Sequence, residues 1–114
     1  MSQQEVLTIL PEHLRARSIS AREIVLPERE ALEAIDFLEA EGMQILGWEG
    51  WVKTQDGMVG HGSAPQGTVS LDALSVPEAA HLCRTTIPIE AAQWRLEYPD
   101  TTDSLHFCIT VRVR

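Results

Sequence analysis

The chain has 114 residues, 44% hydrophobic and 23% charged, which is the composition of one globular domain. A chain of that size buries a core without staples, which argues against global disorder. Seventeen Asp and Glu against nine Lys and Arg leave a formal net charge of −8, and that field disfavours nucleic acid and anionic membranes as partners.

The same charge serves solubility, or it steers a basic partner. No stretch has the apolar length of a transmembrane helix. The start, Met1-Ser2-Gln3-Gln4-Glu5, lacks the basic run and the apolar stretch of a signal peptide, so the expected location is cytoplasmic. Cys83 and Cys108 are then expected as reduced thiols rather than a bridge.

In chain order, Ser2 caps a short helix through Leu10, with Glu5 as its capping-box partner. Pro11 limits that helix, and a second turn holds Glu12 to Arg17. Arg22 to Leu26 reads as a short strand ended by Pro27, which can also start the next helix. Glu28 to Glu41 is rich in Ala, Leu and Glu, has an acidic first turn and is followed by Gly42 as a capping glycine. Ala31, Ala34, Ile35 and Leu38 share one face of this helix, with Leu32 at its edge. Glu30, Glu33, Asp36 and Glu41 spread over the other. Phe37 falls among these carboxylates, either packed on a neighbouring loop or exposed as a contact residue.

Met43 to Lys53 reads as a central strand with apolar residues on both faces. Gln55-Asp56-Gly57 is a turn, and Met58 to His61 is the returning strand. Gly62 to Gly67 is a loop, and Thr68 to Leu71 a further extended piece. Ser75-Val76-Pro77-Glu78 has capping-box spacing before a helix from Pro77 to Arg84. Thr85-Thr86 is expected to interrupt it. A second helix then runs from Pro88 to Glu97, with Ile89, Ala92 and Leu96 on one side. Pro99 to Asp103 is a loop. In the closing strand Leu105, Phe107, Ile109, Val111 and Val113 alternate with His106, Cys108, Thr110, Arg112 and Arg114. The expected fold is a single α+β domain, order β-α-β-β-α-α-β after the N-terminal helical segment. Its helices pack on one face of a mostly antiparallel sheet.

Chemistry-bearing patterns are sparse. His81-x-Cys83 and His106-x-Cys108 repeat a pattern, and on a strand the second pair shares a face that could hold a soft metal. On a helix His81 and Cys83 diverge, and structural zinc normally shows tighter pairs such as C-x₂-C. The alternative is a half-buried thiol and two solvent-facing imidazoles. Ser63 follows Gly62 directly and lacks the flanking glycines of a nucleophile elbow. A Cys–His pair could in principle act as nucleophile and base, but Cys108 sits among bulky strand neighbours, which suits packing. No phosphate-binding glycine motif is present. The expectation is therefore no catalytic residues, no metal and no cofactor.

Gly47-Trp48-Glu49-Gly50-Trp51 is the remaining informative patch, because two of the chain's three tryptophans lie there. On a strand Trp48 and Trp51 point to opposite faces, so one can anchor the core while the other reaches the surface. The alternative is that both are core. Trp94 is expected in the core.

The run Ala34-Ile35-Asp36-Phe37-Leu38-Glu39-Ala40-Glu41-Gly42-Met43-Gln44-Ile45-Leu46-Gly47-Trp48-Glu49-Gly50-Trp51 resembles small bacterial immunity proteins. So does Leu105-His106-Phe107-Cys108-Ile109-Thr110-Val111. Such proteins are antidotes encoded beside polymorphic or contact-dependent toxins, and the resemblance covers residues 28–113. It implies a non-catalytic protein that occludes a toxin's active site. A nuclease toxin is basic where it binds nucleic acid, so an acidic antidote can mimic phosphate and associate quickly. The expected contact residues are Glu30, Glu33, Asp36, Glu41, Glu49 and Asp56, with Phe37 and Trp48 or Trp51 as apolar anchor. Two further readings stay open. One is a metal-binding or enzymatic accessory using His81, Cys83, His106 and Cys108. The other is a subunit that homodimerises through a strand edge.

Overall fold

The computed structural model describes residues 2–68 and 70–113. Two short helices open the chain, α1 (Gln3–Ile9) and α2 (Glu12–Arg15). They are followed by β1 (Ile24–Pro27), α3 (Glu28–Ala40), β2 (Ile45–Lys53), β3 (Val59–Gly60), α4 (Val76–Glu97) and β4 (Ser104–Val111). The four strands form one antiparallel sheet in the order β1-β4-β2-β3. The fold is thus the expected α+β arrangement, with β2 and β4 as interior strands.

The inner face of the sheet follows from strand periodicity. Leu105, Phe107, Ile109 and Val111 of β4 pair in register with Val52, Gly50, Trp48 and Ile45 of β2. On the other flank Phe107 and Ile109 oppose Leu26 and Ile24 of β1. These residues, glycine aside, are buried in one cluster with Ala31, Ala34, Ile35 and Leu38 of α3. Ala79, Ala80, Cys83, Ile87, Ala91 and Trp94 of α4 join the same cluster. Trp48 meets Phe107 edge-on, with ring centroids 5.2 Å apart.

Both capping boxes form. Glu5 N–H donates to Ser2 Oγ at 3.2 Å and Ser2 N–H to Glu5 Oε1 at 3.2 Å. Glu78 N–H donates to Ser75 Oγ at 3.2 Å and Ser75 N–H to Glu78 Oε1 at 3.0 Å.

Several local expectations change. The two late helices are one continuous α4, with Pro88 inside it. Thr85 and Thr86 do not break the helix; their hydroxyls donate back to the His81 and Leu82 carbonyls at 3.1 and 2.8 Å. The buried stripe Ala79, Ala80, Cys83, Ile87, Ala91 and Trp94 runs on either side of the threonines and holds the helix past the proline. The side carrying Ile89, Ala92 and Leu96 faces solvent. Strand β1 begins at Ile24, β2 begins at Ile45 and carries a bulge between Ile45 and Gly47, and β3 spans two residues. Val69, within the expected extended piece, and Arg114, at the end of the expected last strand, lie outside the described residues.

The segment after β3 borders the sheet without being a regular strand. Gly50 N–H donates to the Pro65 carbonyl at 2.9 Å, Thr68 N–H to the Trp48 carbonyl at 3.1 Å, and Leu71 N–H to the Leu46 carbonyl at 2.8 Å. The free edge of β2 is thereby closed by an irregular segment. Across the sheet, Ile19 N–H donates to the Val25 carbonyl at 3.0 Å and Val25 N–H to Ser18 Oγ at 3.1 Å. The β1 edge is satisfied in the same manner. Among the described residues neither flank offers a long open strand.

Candidate functional site on the outer face of the sheet

The alternate residues of the same strands define the outer face. Register places Val25 beside Cys108 and Pro27 beside His106. On the opposite flank Glu49 lies beside Cys108, Trp51 beside His106 and Gly47 beside Thr110. Val25 and Cys108 of this face lie outside the main core cluster, yet its centre is not wet. Val25, His106 and Cys108 are buried, while Glu49 and Thr110 are exposed and Trp51 is half-buried.

His106 was expected to face solvent and does not. It is 6% exposed, wedged between Pro27 and Trp51 on the flanking strands, with Nδ1 3.3 Å from the Ser104 carbonyl. Burial holds its pKa below the ordinary value. His81 is exposed and Cys83 is fully buried on α4, so that pair diverges as the helical period requires. Cys83 and Cys108 are free thiols. Burial pushes Cys83 up to about 11. Cys108 is pushed up to about 12 by burial and then by the Glu23 and Glu49 carboxylates. Both are protonated at neutral pH, which makes them poor nucleophiles and poor metal ligands. Among the described residues no group of three or more His, Cys, Asp or Glu is placed to hold a metal ion.

Trp51 is the aromatic centre of the outer face. Its Nε1–H donates to Glu49 Oε1 at 3.2 Å, and its ring meets His61 edge-on at 5.5 Å. His61 is tethered to β2, with Nδ1 3.2 Å from the Gly50 carbonyl. Two open hollows lie nearby, the first against the indole itself and the second against its neighbours Glu49 and His61. One of about 540 Å³ is lined by Trp51, Glu23, Arg22, Ser20 and the start of α1. The other, about 310 Å³, is lined by Glu49, His61, Pro65 and Gln66. Glu23 and Glu49 make no ion pair among the described residues. They rim a face whose floor is neutral and poorly hydrated, which strengthens their field.

No family model matches the chain, no curated protein matches it, and no solved structure matches it.

The carboxylates of α3 have a different setting. Arg17 reaches Glu30 at 3.2 Å, His13 reaches Glu33 at 2.9 Å, and Arg84 reaches Asp36 at 2.9 Å and Glu39 at 2.5 Å. Arg29 adds a longer contact to Glu33 at 3.8 Å. Three of the acids named from sequence, Glu30, Glu33 and Asp36, therefore tie α3 to α2, to the following turn and to α4. Phe37 is partly buried against the core, and Glu41 is exposed at the end of α3. Trp48 is buried at 2% exposure and belongs to the core, as does Trp94. Asp56 is exposed in the hairpin turn, where it accepts from the Thr54 hydroxyl. Only Glu49 and Trp51 of the sequence-derived set come together. Glu23, His61 and Cys108 complete their surroundings. Glu23 was read as part of the first strand, but only strand pairing brings it to Cys108, with Sγ 3.9 Å from Oε2.

Among the described residues no helix is long and apolar enough to cross a membrane.

Proposed function

We propose that this protein is a non-catalytic, protein-binding domain, an immunity protein that occludes a basic toxin domain through the outer face of its sheet. The observation that carries the reading is the setting of Trp51. A half-buried indole lies beside Glu49, with Glu23 on the same face, and neither carboxylate has an ionic partner among the described residues. An aromatic anchor beside two carboxylates without ionic partners suits an interface whose partner carries positive charge. The net charge of −8 adds long-range steering toward such a partner. The α3 carboxylates contribute to that field from a distance while holding neighbouring elements together.

The test begins with the neighbouring gene. The C-terminal domain of an adjacent, modular, secreted toxin should be neutralised by this protein when both are expressed in one cell. Purified Trp51→Ala should bind that domain at least about tenfold more weakly, the loss expected of an interface anchor. Glu23→Gln with Glu49→Gln should slow association and flatten its salt dependence. An ordinary metabolic operon with no toxin gene, or unchanged binding by all three substitutions, would overturn the reading.

A further inference from the structure

One surface is left unexplained by that reading. Along α4, Thr85, Ile89, Ala92 and Leu96 follow one another at spacings of four, three and four residues and lie on one solvent-facing stripe. Ile89 is 66% exposed and Leu96 76% exposed, although every other long apolar side chain on this helix is buried or partly packed. Leu82, one turn before Thr85, is partly packed against the core and extends the seven-residue spacing Leu82, Ile89, Leu96. That is the a/d pattern of a helix-pairing seam.

We infer that this stripe pairs with the same stripe of a second copy of the chain, α4 against α4, antiparallel about a two-fold axis. Size matching selects the antiparallel arrangement. With the axis between Glu90 and Ala91, Ile89 lies opposite Ala92 of the other copy and Leu96 opposite Thr85. Every layer then pairs a large side chain with a small one, and all four exposed residues are used once in each copy. A parallel pair would set Ile89 on Ile89 and Leu96 on Leu96, with Thr85 and Ala92 leaving gaps between them.

Charge points to the same occupant. The stripe from Thr85 to Leu96 carries no charged side chain. The arginines beside it are already engaged, Arg84 with Asp36 and Glu39, and Arg95 with Glu28 at 2.8 Å. A strongly charged partner finds no counter-charge here. Two copies, each at −8, meet along the neutral line and keep their carboxylates apart. The contact is about 16 Å long at the rise of an α-helix, so it buries less than a standard interface of about 800 Å² per partner. The dimer is therefore weak and appears only at high concentration. It lies on the side of the sheet opposite Trp51 and leaves the outer face open, so it stands independently of the toxin-binding reading.

Sedimentation equilibrium over a wide concentration range tests the pairing. The weight-average mass of the wild-type chain should climb toward twice the monomer value. Added salt should promote the climb, because it screens repulsion between acidic copies. Ile89→Lys and Leu96→Lys should each remain monomeric with unchanged far-UV circular dichroism, since both sites are exposed. Ile89→Glu and Ala92→Lys should each be monomeric alone and dimerise when mixed, because the antiparallel register sets the new charges opposite one another. A wild-type chain monomeric at every concentration overturns the inference, as does a lysine variant that dimerises as wild type. Absence of rescue in the mixture overturns the antiparallel register.

Discussion

The Trp48 indole N–H donates to the Thr86 hydroxyl at 2.9 Å, and that hydroxyl donates in turn to the Leu82 carbonyl at 2.8 Å. One side chain of β2 is thereby tied to the middle of α4, two residues before Pro88. Thr86→Val keeps the shape and removes the acceptor. The indole N–H is then left without a partner in a partly buried place. The expected loss is about 1–3 kcal/mol, read as a lower urea midpoint with an unchanged slope. Wild-type stability in Thr86→Val would mean that water replaces the hydroxyl at no cost.

Gly67 has φ +90°, and a Cβ there would collide with the Trp48 carbonyl. Gly57 has nearly the same φ, +92°, with open space around it. The pair separates backbone strain from steric collision. Gly57→Ala carries only the conformational penalty, about 1–2 kcal/mol. Gly67→Ala carries that penalty and must also lift the bordering segment off β2, breaking the Thr68–Trp48 hydrogen bond. Gly67→Ala should therefore be the more destabilised in thermal unfolding, and its Thr68 amide should exchange faster with deuterium. Equal losses for the two would show that the segment yields freely.

What could be read from sequence was periodic and local. The alternation of β4, the apolar stripe and capping glycine of α3, and both capping boxes rest on neighbours a few residues apart, and the structure carries them except at Val113, which lies beyond β4 and is exposed. What could not be read depends on distant residues. The counter-ions of the α3 carboxylates include Arg84, 48 residues from Asp36, and no local pattern announces it. Strand period placed His106 and Cys108 together on the face opposite the core. It could not say that Val25, Pro27 and Trp51 would bury them. The α4 helix misled for a related reason. Thr85, Thr86 and Pro88 are poor helix residues locally, and a buried stripe spanning Ala79 to Trp94 outweighs them. In the candidate site Trp51 and Glu49 were legible because they share one strand, whereas Glu23 and His61 arrive from other segments.

The two thiols should be slow to react. With Cys83 at about 11 and Cys108 at about 12, against an ordinary value of 9.0, the folded chain holds its protons more tightly than the unfolded chain. The sign follows directly. Between about 9 and the raised values the folded state binds more protons, so stability falls as pH rises through that window. Iodoacetamide should label neither thiol appreciably in the native protein at neutral pH and both in urea. Cys108→Ala should lose less stability than wild type between pH 9 and 11, measured relative to each protein at neutral pH. Rapid native labelling of Cys108 would place it in open contact with solvent.

His106 should set the acid side of the stability profile first. Burial lowers its pKa, and the Lys53 and Arg17 charges act in the same direction, against the Ser104 carbonyl and Glu30, which favour the protonated ring. The folded state thus binds its proton less readily than the unfolded chain, whose ordinary value is 6.5. Above that value both states are neutral and the contribution to stability is complete. As pH falls below it the unfolded chain takes up a proton that the folded chain refuses, so stability drops until the folded value is reached. His106→Phe keeps an aromatic ring between Pro27 and Trp51 and removes the titration. Urea midpoints measured from pH 7.5 down to pH 5 should decline less in the variant than in wild type. Parallel declines in the two proteins would assign the acid limb to other groups.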